Sequence, residues 1–143
     1  MILPRHLKNS VVAVGGDVKC VPALGRGNTV EFQEALGDVG DPAVQDVLSA
    51  TLGAMISQMG EDGIVACDAH PGYLSTRIAH EVAARYRMRL TMIQHHRAHV
   101  AAVLAEHGIE QDVVGLAFDG TGYGDDGVVW GGEFFTGLSL IHI

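Results

Sequence analysis

The stretch "GIVACDAHPGYLSTRIAHEVAARYRMRLTMIQHHRAHVAAVLAEHG", residues 63–108, decides the fold class. "GIVACDAHPG" (63–72) is a short apolar run that ends in a polar Pro-Gly turn, the pattern of a buried strand. "YLSTRIAHEVAARYRM" (73–88) carries the spacing of a helix, and "LTMI" (90–93) is a second strand. "HRAHVAAVLAEHG" (96–108) returns to helix and is closed by Gly108. Strands that alternate with helices form a layered α/β domain whose sheet is mostly parallel.

The flanks extend the same alternation. "DPAVQDVLSATLGAMISQMG" (41–60) reads as a helix, with Asp41 as N-cap, Pro42 at the first helical position and Gly60 as the stop. Val44, Val47, Leu48, Met55 and Ile56 recur at helical spacing. "VVAVGGDVKCVPALG" (11–25) opens β-branched, breaks at Gly15-Gly16 and resumes, which predicts strand, tight turn, strand. "VVGLAFDG" (113–120) and "VVWGGEFF" (128–135) are strands around the glycine-rich turn "TGYGDDG". The string "LSLIHI" (138–143) resembles a translated sequencing-library adapter, so residues 137–143 are expected to be a non-native tail.

Composition narrows the function. The 143 residues suit one domain or a piece of a larger protein, and 48% are hydrophobic. The formal charge of −8, from 17 acidic and 9 basic residues, argues against a nucleic-acid-binding surface, which needs a basic face. Arg77, Arg85, Arg87, Arg89 and Arg97 fall close together, with Arg26 far upstream, and most read as solvated helix-face residues. No run approaches transmembrane length and no signal peptide is recognisable. Cys20 and Cys67 fit no metal spacing and read as core residues. A reducing, cytoplasmic setting follows as the default.

Several groups carry possible chemistry. His95 and His99 stand four residues apart, on one helix face, where two imidazoles can chelate one divalent ion; the bland reading is a polar helix start. Neutral imidazole suits Zn or Fe, with an oxygen ligand from elsewhere. His96 lies about 100° around the helix and is the weaker candidate. In "AFDGTGYGDDG" (117–127), Asp119 ends a strand and Gly120, Thr121 and Gly122 follow. Backbone N–H groups of such a turn can form an anion nest for a nucleotide phosphate, although Asp-Gly is also an ordinary turn. Gly15, Gly16 and Lys19 form a second, weaker phosphate-loop candidate. Asp68 and His70 fall at a strand end, the ligand edge of open α/β sheets, and Ser75, Thr76 and Arg77 open a helix whose N-terminus favours anions.

Taken together, "AVGGDVK", "VACDAHPGYLSTRIA", "IQHHRAHVAAVLAEHG" and "GLAFDGTGYGDDGVVWGGEFF" resemble, in this order and at similar separations, the HypF family of carbamoyltransferases of [NiFe]-hydrogenase maturation. The resemblance covers roughly residues 10–136 and matches the N-terminal part of a TsaD-like carbamoyl-transfer domain, with residues 1–9 a linker or truncated upstream segment. It implies an actin/Hsp70-like (ribonuclease H-like) half-domain with a mixed, mostly parallel sheet flanked by helices. It implies that carbamoyl phosphate and ATP, with Mg, give carbamoyl adenylate, and that the carbamoyl group passes to the C-terminal cysteine of HypE for cyanide-ligand synthesis. By the same resemblance, His95 and His99 would hold a divalent metal, Fe or Zn. Asp119, Gly120, Thr121 and Gly122, with Gly15, Gly16 and Lys19, would contact the nucleotide. Many members read "GGELKNTFCLARG" where this chain has "GGDVKCVPALGRG", and often have histidine in place of Arg97.

With the upstream modules and the second half of the nucleotide-binding fold missing, the segment alone is expected to be inactive. An O-carbamoyltransferase of secondary metabolism and an inactive nucleotide-binding remnant are the alternatives. The acidic balance and the specific last motif disfavour tRNA modification.

Overall fold

The computed structural model describes residues 1–138, leaving aside the side chains of Thr121 and Leu138; the expected tail lies, from residue 139, outside the described residues. Strands β1 (Val11–Ala13), β2 (Ala23–Arg26) and β3 (Thr29–Phe32) precede helix α1 (Pro42–Ile56). Then follow β4 (Ile64–Asp68), α2 (Leu74–Tyr86), β5 (Arg89–Ile93), α3 (His95–His107) and the long hairpin β6 (Val113–Tyr123) and β7 (Val129–Leu138). The first five strands form one sheet in the order β3-β2-β1-β4-β5, and β6-β7 form a second.

The sheet is mixed. β1 pairs parallel with β4, and β4 with β5, while β1-β2 and β2-β3 are antiparallel. β3 is not apparent from the sequence, because its four residues are mostly exposed and too few for their alternation to stand out. Gly15-Gly16 is also not the hairpin turn the sequence suggests. Gly15, at φ 90°, turns the chain out of the sheet, and its missing side chain leaves room for Val21, whose amide nitrogen a Cβ would meet at 2.9 Å. The chain returns only at Ala23, after Cys20 has paired its backbone with Leu36 and Gly37.

The helices form where their caps predict. The Asp41 carboxylate accepts the Ala43 N–H at 2.8 Å, with Pro42 at the first turn. Gly108, at φ 62°, closes α3 in the left-handed region. Leu48, Leu52, Met55 and Ile56 of α1 and Ile78, Ala79, Val82 and Ala83 of α2 cover one sheet face through Val12, Val14, Val65 and Cys67. The alternate strand positions Ala13, Ala66 and Ile93 face the other way, toward Ala98 and Ala102 of α3, across a cavity of about 320 Å³. Alanines on both walls leave that space open, and it lies at the carboxyl ends of the parallel strands.

The first turn of α2 has no side-chain cap of its own. Asp17 supplies one from the β1–β2 connection, accepting the N–H groups of Leu74 and Ser75 at 3.0 and 2.8 Å. The anion that this helix N-terminus favours is thus the protein's own carboxylate. Asp17→Ala is expected to lower stability by about 1–2 kcal/mol, the usual loss for a charged cap. Urea denaturation of the two chains checks this.

Candidate metal and nucleotide site

The carboxyl ends of β1 and β4, the first turn of α3 and the middle of β6 meet at one point. Asp68 ends β4, and its Oδ1 accepts the His70 N–H at 2.7 Å, which fixes the carboxylate. Its Oδ2 lies 2.6 Å from His95 Nδ1. An ionised carboxylate only accepts, so Nδ1 donates; this assigns the tautomer. Nε2 of the same ring stands 2.9 Å from Asp119 Oδ2, and in a neutral ring it would carry the lone pair. His99 Nε2 stands 3.2 Å from His95 Nε2 and 3.5 Å from the same Asp119 oxygen.

His95, His99 and Asp119 offer three donor atoms, all within 4.8 Å of one another. Two imidazole nitrogens and one carboxylate oxygen suit Zn or Fe. The Asp68–His95 hydrogen bond is the partner that metal-ligating histidines commonly have. The residues present therefore fit a divalent ion, and Asp119 is the oxygen donor that histidine spacing alone does not identify.

Gly15, Gly16, Asp68, His95 and His99 line the same cavity, so the first glycine pair shares a space with the histidines. Lys19 is exposed, with φ 55°, and does not line that cavity. Gly120 and Gly122 are not in a turn. β6 runs on to Tyr123, and the turn lies beyond it, where Gly124 N–H donates to Val128 and Gly127 N–H to Gly124. Asp119, Gly120 and Thr121 occupy an irregular step in β6, between the Phe118–Gly132 and Gly122–Trp130 pairs. The Thr121 side chain lies outside the described residues.

His96 is a site-adjacent residue that spacing leaves undecided. It is fully buried, its Nδ1 2.6 Å from Glu133 Oε2. Its place in the series His96, Val100, Leu104, the three buried positions of α3, is the sequence signal for that burial. Glu133 comes from β7, and no local pattern points to it. His70 serves the wall: its ring stacks on Tyr73 at 4.2 Å, and its Nδ1 accepts the Gly72 N–H.

Burial, and secondarily Asp17 beside Cys20 and Asp68 beside Cys67, push both thiols up to about 11 from 9.0. Neither thiol is an activated nucleophile. Both are expected to resist iodoacetamide at pH 8 in the folded chain and to react once it is unfolded, as mass spectrometry would show. The linkage has a definite sign. The unfolded chain releases these protons first, so their stabilisation is complete below pH 9 and is lost as pH rises toward about 11.

Comparison with known proteins gives this fold a family. The family model "HypF Kae1-like domain" matches residues 6–106. Carbamoyltransferase HypF2 of Cupriavidus necator is 44% identical over 137 residues, covering 91% of this chain and 17% of its own. Carbamoyltransferase HypF of Synechocystis is 41% identical, covering 92% and 17%. The crystal structure of full-length HypF in the phosphate- and nucleotide-bound form superposes with a TM-score of 0.81 at 33% identity, over 94% of this chain and 18% of that one. The chain thus spans about a sixth of the length of these relatives.

Proposed function

The chain belongs to the HypF carbamoyltransferase family, and from that premise we propose that it is the first part of a carbamoyl-transfer module acting on carbamoyl adenylate. The adenylate is made from carbamoyl phosphate and ATP with Mg, and the acceptor is the C-terminal cysteine thiol of HypE, on the way to the cyanide ligands of [NiFe]-hydrogenase. The observation that carries the reading is the convergence of His95 Nε2, His99 Nε2 and Asp119 Oδ2, possible donor atoms that lie within 4.8 Å of one another.

The chain's own residues divide the work. Asp68 holds His95 in the tautomer that presents Nε2. Gly15 and Gly16 let a ligand approach the backbone in the cavity that reaches the histidines. The segment Asp119–Gly122, where the β6–β7 register shifts, would contact the nucleotide phosphates. An Fe or Zn ion held by His95, His99 and Asp119 supplies Lewis acidity toward the carbamoyl oxygen. Transfer breaks the bond from the carbamoyl carbon to AMP as the bond to sulfur forms, and the thiol proton is released. The protonated, buried Cys20 and Cys67 support an acceptor thiol brought by the partner. The same free cysteines suit a reducing cytoplasm, and among the described residues no helix is long and apolar enough to cross a membrane.

His95→Ala combined with His99→Ala, in a full-length chain bearing this segment, is expected to remove bound metal and abolish carbamoylation of HypE. Stoichiometric metal by elemental analysis of the double variant would overturn the ligand assignment. Asp119→Ala is expected to weaken adenylate binding about tenfold or more while the fold persists. Calorimetric titration reads this directly, and an unchanged affinity removes Asp119 from the site.

A further inference from the structure

His96 and Glu133 form a buried polar pair that the metal reading does not use. His96 is fully buried, yet its Nε2 has no hydrogen-bond partner and lies 3.9 Å from Asp119 Oδ2. The ring lies against the backbone of Gly122: a Cβ there would meet Nε2 at 2.1 Å. With Nδ1 engaged and Nε2 covered in this way, His96 is not placed to be a ligand.

The surroundings show what the pair does. Glu133 Oε2 also accepts from Gln94 Nε2 at 3.1 Å, and the same Gln94 amide donates to the Tyr123 carbonyl at 3.2 Å. Gln94 caps α3 through the Arg97 N–H. Glu133 therefore ties the first turn of α3 to β7, and Gln94 ties it to β6. Elsewhere α3 meets the hairpin through an exposed Arg97–Asp125 ion pair at 3.0 Å, which solvent weakens, and a small apolar cluster, Val100, Leu104 and Ala117. Apolar burial is non-directional and tolerates sliding. Asp119 falls where the β6–β7 register shifts, between the Phe118–Gly132 and Gly122–Trp130 pairs, so the regular ladder alone does not set its position. A buried ionisable pair adds little stability over apolar residues of the same shape, but it is directional.

We propose that the buried His96–Glu133 pair is the positioning device of the metal centre: it fixes the β6–β7 hairpin, through β7, against the first turn of α3 so that Asp119 reaches His95 and His99. His96 and Glu133 are positioning residues, acting through Asp119. The proposal rests on the reading of His95, His99 and Asp119 as a metal centre.

The test uses Co²⁺ as the probe, with affinity from chelator competition and coordination from the visible absorption bands of the full-length chain. Glu133→Gln and His96→Leu are each expected to weaken Co²⁺ binding 10–100-fold and to alter the bands, as loss of an outer partner does. His96→Gln, whose amide still donates to Glu133, is expected to recover most of the affinity. If Glu133→Gln does not fold, Glu133→Asp, which keeps the charge and shortens the reach, is expected to show the same weakening. Parental affinity and spectrum in these variants would overturn the proposal even if they melt earlier, since packing alone would then account for the pair. A parent chain that takes up no Co²⁺, like the His95→Ala, His99→Ala control, would overturn the metal reading first and the proposal with it.

Discussion

His95 stands between two carboxylates, with Asp68 Oδ2 at 2.6 Å and Asp119 Oδ2 at 2.9 Å. One comes from the end of the parallel sheet and the other from the separate hairpin, so this single imidazole joins the two sheets. A neutral imidazole donates to one of them and presents a lone pair to the other, whereas an imidazolium donates to both. His99 arrives one helical turn later to complete the group of donor atoms proposed above to hold a cation, and Asp68 is itself held by the His70 N–H. The β4–α2 turn, the α2 cap by Asp17 and the wall of His70 and Tyr73 all keep the end of β4 where Asp68 must be.

The fold was legible wherever burial was one-sided. The αβαβα order from residue 41 to 108 follows from apolar periodicity, and the caps at Asp41 and Gly108 match their residue types. Reading failed where neither periodicity nor a turn dipeptide reports the geometry. β3 is a short exposed edge strand, Gly15-Gly16 suggests a tight turn that the chain does not make, and the turn expected over 121–127 begins later, at Gly124. At Gly15 the glycine serves an excursion out of the sheet, and at Gly122 it makes room for an imidazole. A glycine cluster records that a side chain is intolerable, but not whether the reason is a turn, a ligand or a neighbouring ring.

The site divides in the same way. The spacing of His95 and His99 was visible because a helix makes it local, and Asp119 was visible because it ends an apolar strand before glycines. Its contact with the histidines was not, since it lies 20 residues beyond His99 and arrives only through the packing of α3 on β6. Asp68 was noticed for its place at a strand end, but its bond to His95 spans 27 residues and a parallel crossover. Glu133 left no signal, being one carboxylate in a strand of aromatic and glycine residues.

The adjacent histidines explain why one helix turn serves two sheets. Neighbouring residues on a helix diverge by about 100°, so consecutive imidazoles cannot face the same partner. His95 turns toward the alanine-lined cavity and Asp68, while His96 turns inward beneath the hairpin to Glu133. Each is fixed through Nδ1 at 2.6 Å by a carboxylate from a different sheet. The first turn of α3 is thereby located against the end of β4 and against β7 together, by charge-assisted bonds that specify direction as well as distance. Asp119 reaches both imidazoles from β6, the strand paired with the β7 that carries Glu133.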